Sequence, residues 1–182
     1  PPGREREGVP VLTEFVAQVR AMLDRVGEER GRRLPLCVRV PRSPELALAA
    51  GMDVVGWDRT GLIDMVNASP HFRNVLAVDI AAYRAALTHA RVYGEMHFNT
   101  QGGTTPDGYC NNINRRTTRR IYETTALSFL DRGADGLSFF NFAYTRDHSF
   151  ADPRRRCYPG VEPPFDMLRT ILDESRLRQE PK

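Results

Sequence analysis

Apolar residues recur at three- and four-residue steps near the start of the chain: Val11, Leu12, Phe15, Val16, Val19, Met22, Leu23 and Val26, with Glu14, Gln18, Arg20 and Arg25 on the other faces. That period predicts an amphipathic helix from Val11 to Arg30. Pro10 suits its first turn and Gly31 follows its end. The pattern then changes. Residues 34–41 (LPLCVRVP) form a short β-branched run of strand length, closed by proline. Ser43-Pro44-Glu45 supplies a cap, a first-turn proline and an early acid for the next helix, which Gly51 ends. Asp53 caps a short helical segment through Trp57. Residues 62–68 (LIDMVNA) are the second strand. Asp79 caps a helix running to about Ala90, with Ile80, Tyr83, Ala86 and Leu87 on one face. Residues 91–98 (RVYGEMHF) are the third strand and residues 136–142 (GLSFFNF) the fourth. Between these two strands lies a long polar loop, NTQGGTTPDGYCNN, of a kind that is usually functional or mobile. A helix from Asn114 to Arg132 follows it, and another runs from Pro164 to about Leu177.

Strands alternating with helices imply a parallel sheet with right-handed crossovers. The strands are apolar along nearly their whole length, so both sheet faces are expected to be covered. Val38, Val40, Val66, Val92, Met96 and Phe140 should then be buried against helices. No glycine-rich phosphate loop follows the first strand, which argues against a dinucleotide cofactor. A full eight-unit barrel takes about 250 residues, and this chain of 182 residues has four strands' worth of pattern. The expected fold is α/β: a partial (β/α)8 TIM barrel, its carboxyl half, forming one domain over residues 1–182. The outer strands would be open edges. Such a piece should self-associate or depend on a missing amino-terminal half-barrel.

Composition narrows the function little. The chain is 41% hydrophobic and 27% charged, with a net charge of +3, too small to argue for a nucleic-acid partner. Arg115-Arg116 and Arg154-Arg155-Arg156 read as solvated faces. No apolar run of about 18 residues suggests a membrane span. Of the three cysteines, Cys37 reads as core, while Cys110 and Cys157 fall in loop-like segments whose pairing stays open. Their spacing matches no zinc pattern, and no metal or other cofactor is expected. The opening PPGREREGVP has no apolar core of a signal peptide and no initiator methionine, so the chain is expected to begin inside a longer one. A secreted or periplasmic location stays open on those terms.

The chemistry gathers at strand ends. In a parallel barrel, functional groups sit at the carboxyl ends of strands and alternate side chains face inward. Tyr93, Glu95 and His97 share one face of the third strand. Arg39, Asn67 and Asn141 close the other three. Gly94 would leave room beside Glu95 for a ligand or a neighbouring side chain. Each of these residues also has a plain structural use. A strand glutamate can sit at a sheet edge, Arg39 can snorkel or pair with a helix acid, and His97 can be a hydrogen-bonded rim residue. The asparagines can cap loops, and Trp57 is either a core residue or a groove residue on which a sugar stacks. An aldolase-type barrel would need a Schiff-base lysine, and Lys182 is the only lysine present.

Three segments carry a family resemblance: VRVPRSPELALAAGMDVVGWDRTGLIDMVNAS, VYGEMHF and GADGLSFFNF. Together, over Leu34 to Phe142, they resemble the carboxyl half of bacterial glycoside-hydrolase-like TIM barrels, relatives of the retaining (β/α)8 glycosidases. In those enzymes the nucleophile ends the seventh strand and the acid/base ends the fourth. Taking GLSFFNF as the eighth strand, the resemblance makes Glu95 the nucleophile, with Arg39, Trp57, Asn67, Tyr93, His97 and Asn141 binding an oligosaccharide or polysaccharide. The fourth strand, with its acid, would precede residue 1. Glycoside hydrolysis takes two carboxylates, so a non-catalytic carbohydrate-binding or scaffold barrel is the alternative.

Overall fold

The computed structural model describes residues 3–70, 74–101, 114–143 and 163–179. A 3-10 turn (Glu5–Gly8) leads into the long helix α1 (Val9–Glu29). Strand β1 (Cys37–Val40) follows, then the short helices α2 (Pro44–Ala49) and α3 (Val54–Arg59) and strand β2 (Met65–Ala68). Helix α4 (Ile80–Ala86) precedes β3 (Arg91–His97). Two three-residue strands, β4 (Asn99–Gln101) and β5 (Asn114–Arg116), come before α5 (Arg119–Asp131) and β6 (Gly136–Phe140). A 3-10 segment (Phe165–Arg169) and α6 (Glu174–Gln179) complete the described elements. None of the described helices is long and apolar enough to cross a membrane.

Local chemistry accounts for most boundaries. The side chains of Ser43, Asp53, Asp79 and Thr118 each accept a backbone N–H of the first turn, at Leu46, Gly56, Ala82 and Ile121. Helix α4 stops at Ala86, short of the expected Ala90. Its would-be last turn is taken by Asp58, whose carboxylate accepts the backbone N–H groups of Thr88, His89 and Ala90 at 2.7, 3.1 and 2.6 Å. A side-chain acceptor has displaced the helical one there. The helix expected from Asn114 begins only at Arg119, because residues 114–116 pair antiparallel with residues 99–101. The expected terminal helix is likewise split, into the 3-10 segment and α6.

The main sheet is parallel throughout, in the order β1-β2-β3-β6. Arg39 lies level with Asn67, Asn67 with Tyr93, and Glu95 with Ser138. Alternation along each strand gives the sheet two unlike faces. Val40, Val66, Ala68, Val92 and Met96 are buried in the apolar core with residues of the helices, and Val38 is half-buried against it. The other face carries Cys37, Arg39, Met65, Asn67, Arg91, Tyr93, Glu95, His97 and Phe140. Cys37, Arg39 and Arg91 on it are exposed. Two expectations change accordingly. Cys37 is not core, and Phe140 packs on this polar face, with its ring centroid 4.8 Å from that of His97.

Gly94 also has a different use from the one expected. A methyl group at that position would lie 2.2 Å from a ring carbon of Phe129 on α5, so the space it vacates is on the helix face and is filled. The Phe129 ring is fully buried and cannot swing into solvent. Gly94→Ala should therefore lower unfolding free energy by about 1–3 kcal/mol through overpacking. Urea denaturation at constant m-value would measure it, and an unchanged midpoint would mean that α5 does not seat on β3 in this way.

Candidate functional site

Glu95 sits one strand-step from the carboxyl end of β3, the central strand nearest β6, and is 1% exposed. Burying a carboxylate is costly unless it is ionised against partners that replace its water. Here three strands supply them. Arg39 of β1 grips both oxygens, Nε to Oε2 at 2.7 Å and Nη2 to Oε1 at 2.8 Å. Asn67 of β2 donates Nδ2 to Oε2 at 2.9 Å. Ser69, just past β2, donates its hydroxyl to Oε1 at 2.6 Å while accepting from Arg39 Nη2 at 2.8 Å. His97, two residues on along β3, brings Nε2 to 2.7 Å from Oε1. A carboxylate offers only acceptors, so Nε2 carries the proton of that bond.

The electrostatic result follows from these contacts. Burial alone would raise the Glu95 pKa. The hydrogen bonds from His97, Arg39 and Ser69, with the charge of Arg39, outweigh it and bring the pKa down to about 2. Phe140 forms an apolar shelf for the cluster: the Arg39 guanidinium carbon lies 4.4 Å from its ring centroid, and the His97 ring tilts against it at 33°. Thr117 fastens the far end of β3, donating its hydroxyl to the carbonyl of His97 at 2.8 Å.

Four of the seven residues expected at the site therefore meet: Arg39, Asn67, Glu95 and His97. The remaining three do not join them by hydrogen bonds. Tyr93 is half-buried one step deeper on the same face, its ring occupying the space beside Gly136. Asn141 lies just past β6 and is exposed, with a left-handed backbone (φ 53°). Trp57 is 1% exposed in the core and its indole donates to Thr13 of α1 at 2.8 Å. It has no free face on which a sugar could stack, because a helical tryptophan on the packed side of α3 is needed to fill the core. Two site members were not anticipated. Ser69 shares the phase of Asn67, two residues on, and Phe140 is level with His97, so continued alternation would have found both.

Compared with known proteins, the chain matches no family model and no curated protein. What the arrangement can do is therefore read from its own geometry. It holds a carboxylate whose pKa is brought down to about 2, a partly open arginine and a buried histidine at the carboxyl ends of parallel strands, where open α/β sheets and barrels place their ligands.

Proposed function

We propose that this chain contributes the carboxyl half of a glycoside-hydrolase-like (β/α)8 barrel, with Glu95 as the nucleophile of a retaining mechanism. The observation that carries this reading is the ionised, buried Glu95 at the carboxyl end of β3, ringed by donors from three adjacent strands. Two features of the fold support the barrel. The strands lie in sequential order, as in a singly wound barrel and unlike a doubly wound sheet, where the order reverses. The helices' apolar core also lies on one face only, leaving the polar face as the natural barrel interior. Val11, Phe15 and Met22, spaced along one stripe of α1, are 74, 60 and 46% exposed, an apolar surface suited to a further half-barrel or a second copy.

A nucleophilic carboxylate must be ionised, and a low pKa keeps it so. Arg39, Asn67 and His97 then hold its orientation. The leaving oxygen needs a second carboxylate, about 5–5.5 Å away in a retaining enzyme. Among the described residues no second carboxylate is hydrogen-bonded into the cluster. One observation favours a second reading, a non-catalytic carbohydrate-binding barrel. The five hydrogen bonds to Glu95 occupy both oxygens, which suits a clamp on Arg39 as well as a poised nucleophile.

Trapping separates the two. An activated 2-deoxy-2-fluoro glycoside slows both chemical steps, the second more, so a true nucleophile becomes covalently glycosylated. Incubating the full-length protein with a panel of such glycosides and digesting it should yield a labelled peptide modified at Glu95. Labelling at another carboxylate, or hydrolysis of ordinary aryl glycosides with Glu95 unmodified, would remove Glu95 from that role.

A further inference from the structure

We infer that the cleft beside Glu95 binds an anionic sugar unit, a uronic acid carboxylate or a sulfate ester, through Arg39 and Arg42. This rests on the carbohydrate reading above and names the substrate class within it. The cleft has a volume of about 450 Å³, within the range of small-ligand sites, about 300–1,000 Å³. Its wall is divided. Pro41, Leu46 and Pro70 give an apolar side on which the C–H face of a sugar ring can rest, while Arg39, Arg42 and Ser69 give the polar side.

The polar side is unevenly satisfied. The Ser69 hydroxyl is engaged with Arg39 and Glu95. Arg39 spends Nε and Nη2 on Glu95 and Ser69, but its Nη1 makes no hydrogen bond among the described residues, and its side chain remains 38% exposed. Arg42 is exposed and forms no ion pair or side-chain hydrogen bond among the described residues. None of the described residues lining the cleft carries a carboxylate. Glu95 offsets the charge of Arg39, so the charge of Arg42 is left over at the mouth. A neutral sugar would leave that guanidinium facing water. A carboxylate or sulfate would accept charge-assisted hydrogen bonds from Arg42 and from Arg39 Nη1, in a planar fork that matches its oxygens.

The test uses the full-length protein and isothermal titration calorimetry. The probes are a short oligogalacturonate, its methyl ester, a sulfated galactan oligosaccharide and a neutral galactan oligosaccharide. Esterification removes the charge and keeps the sugar. The inference predicts that an acidic probe binds at least about tenfold more tightly than its neutral counterpart, and that added salt narrows the gap. Which acidic probe prevails identifies the anion. Arg42→Gln should erase the preference without changing the circular dichroism spectrum. Equal affinity for ester and acid, or a preference that survives Arg42→Gln, overturns the inference. If neutral glycans bind or turn over while acidic ones are ignored, only this inference fails. If no glycan binds and none is hydrolysed, the carbohydrate reading fails with it.

Discussion

Glu95→Gln in the full-length protein should reduce aryl glycoside hydrolysis by about 10⁴-fold or more, the scale on which loss of a covalent nucleophile is felt. The amide keeps the shape and one acceptor oxygen, so the sugar should still bind. It also places an NH₂ group where two or three donors now point. The donors are Arg39 and Asn67 on Oε2, and Arg39, Ser69 and His97 on Oε1. Some loss of stability is therefore expected too, and a fall in rate alone would not separate chemistry from folding. Glu95→Ala with added azide does. A small anion can occupy the space vacated by the carboxylate and attack an activated glycoside, giving a glycosyl azide of inverted configuration. Restored turnover with that product is the expected outcome. Unchanged hydrolysis in either variant would contradict the assignment.

Asp58→Ala should lower stability by about 1–3 kcal/mol, although Asp58 lies on α3 and its side chain bonds Thr88, His89 and Ala90 rather than the Glu95 cluster. Asp58 is fully buried and accepts three consecutive backbone N–H groups, of Thr88, His89 and Ala90. Its removal leaves the donors without an acceptor. Thr88 and His89 are exposed and can turn to water, whereas the Ala90 N–H is buried and cannot. Each unsatisfied buried donor costs about 1–3 kcal/mol, which gives the range above once partial rehydration is allowed. These residues lead directly into β3, so the same change should blur the start of the strand that carries Glu95. Urea unfolding gives the free energy, and amide exchange at Val92 reports on the strand. A loss under about 1 kcal/mol with full protection would mean the turn holds without Asp58.

The strands and most helix starts were legible because their causes are local. β-branched runs ending at Pro41 or after Ala68 read as strands, and Ser43, Asp53 and Asp79 are caps wherever they precede such helices. Asp58 was not legible, since its three acceptor contacts span about thirty residues of sequence. The β4–β5 pairing was hidden for a related reason: both pieces are short and polar, and nothing in NTQ or NRR marks a strand. The site was half visible. Glu95 and His97 stand out in an apolar run, and Arg39 and Asn67 hold equivalent places on their strands. Taking both sheet faces as covered obscured the alternation that separates Val38 and Val40 from Cys37 and Arg39, and with it Ser69 and Phe140. Trp57 shows the limit from the other side. Aromatic character predicts burial well but does not say which surface the ring will meet.

The hold of Arg39, Ser69, Asn67 and His97 keeps Glu95 ionised inside the protein. Its sign for stability is fixed by the direction of the shift. A carboxylate whose folded pKa is about 2 against an ordinary 4.5 contributes stability that is present above about pH 4.5 and is lost as pH falls towards 2. The direct measurement is the ¹³C carboxyl resonance of Glu95 in protein labelled at glutamate, assigned by its absence from Glu95→Gln and followed with pH. The account predicts an ionised chemical shift for Glu95 that stays flat from about pH 6 to about pH 3. A Glu95 resonance that titrates near 4.5 would contradict it.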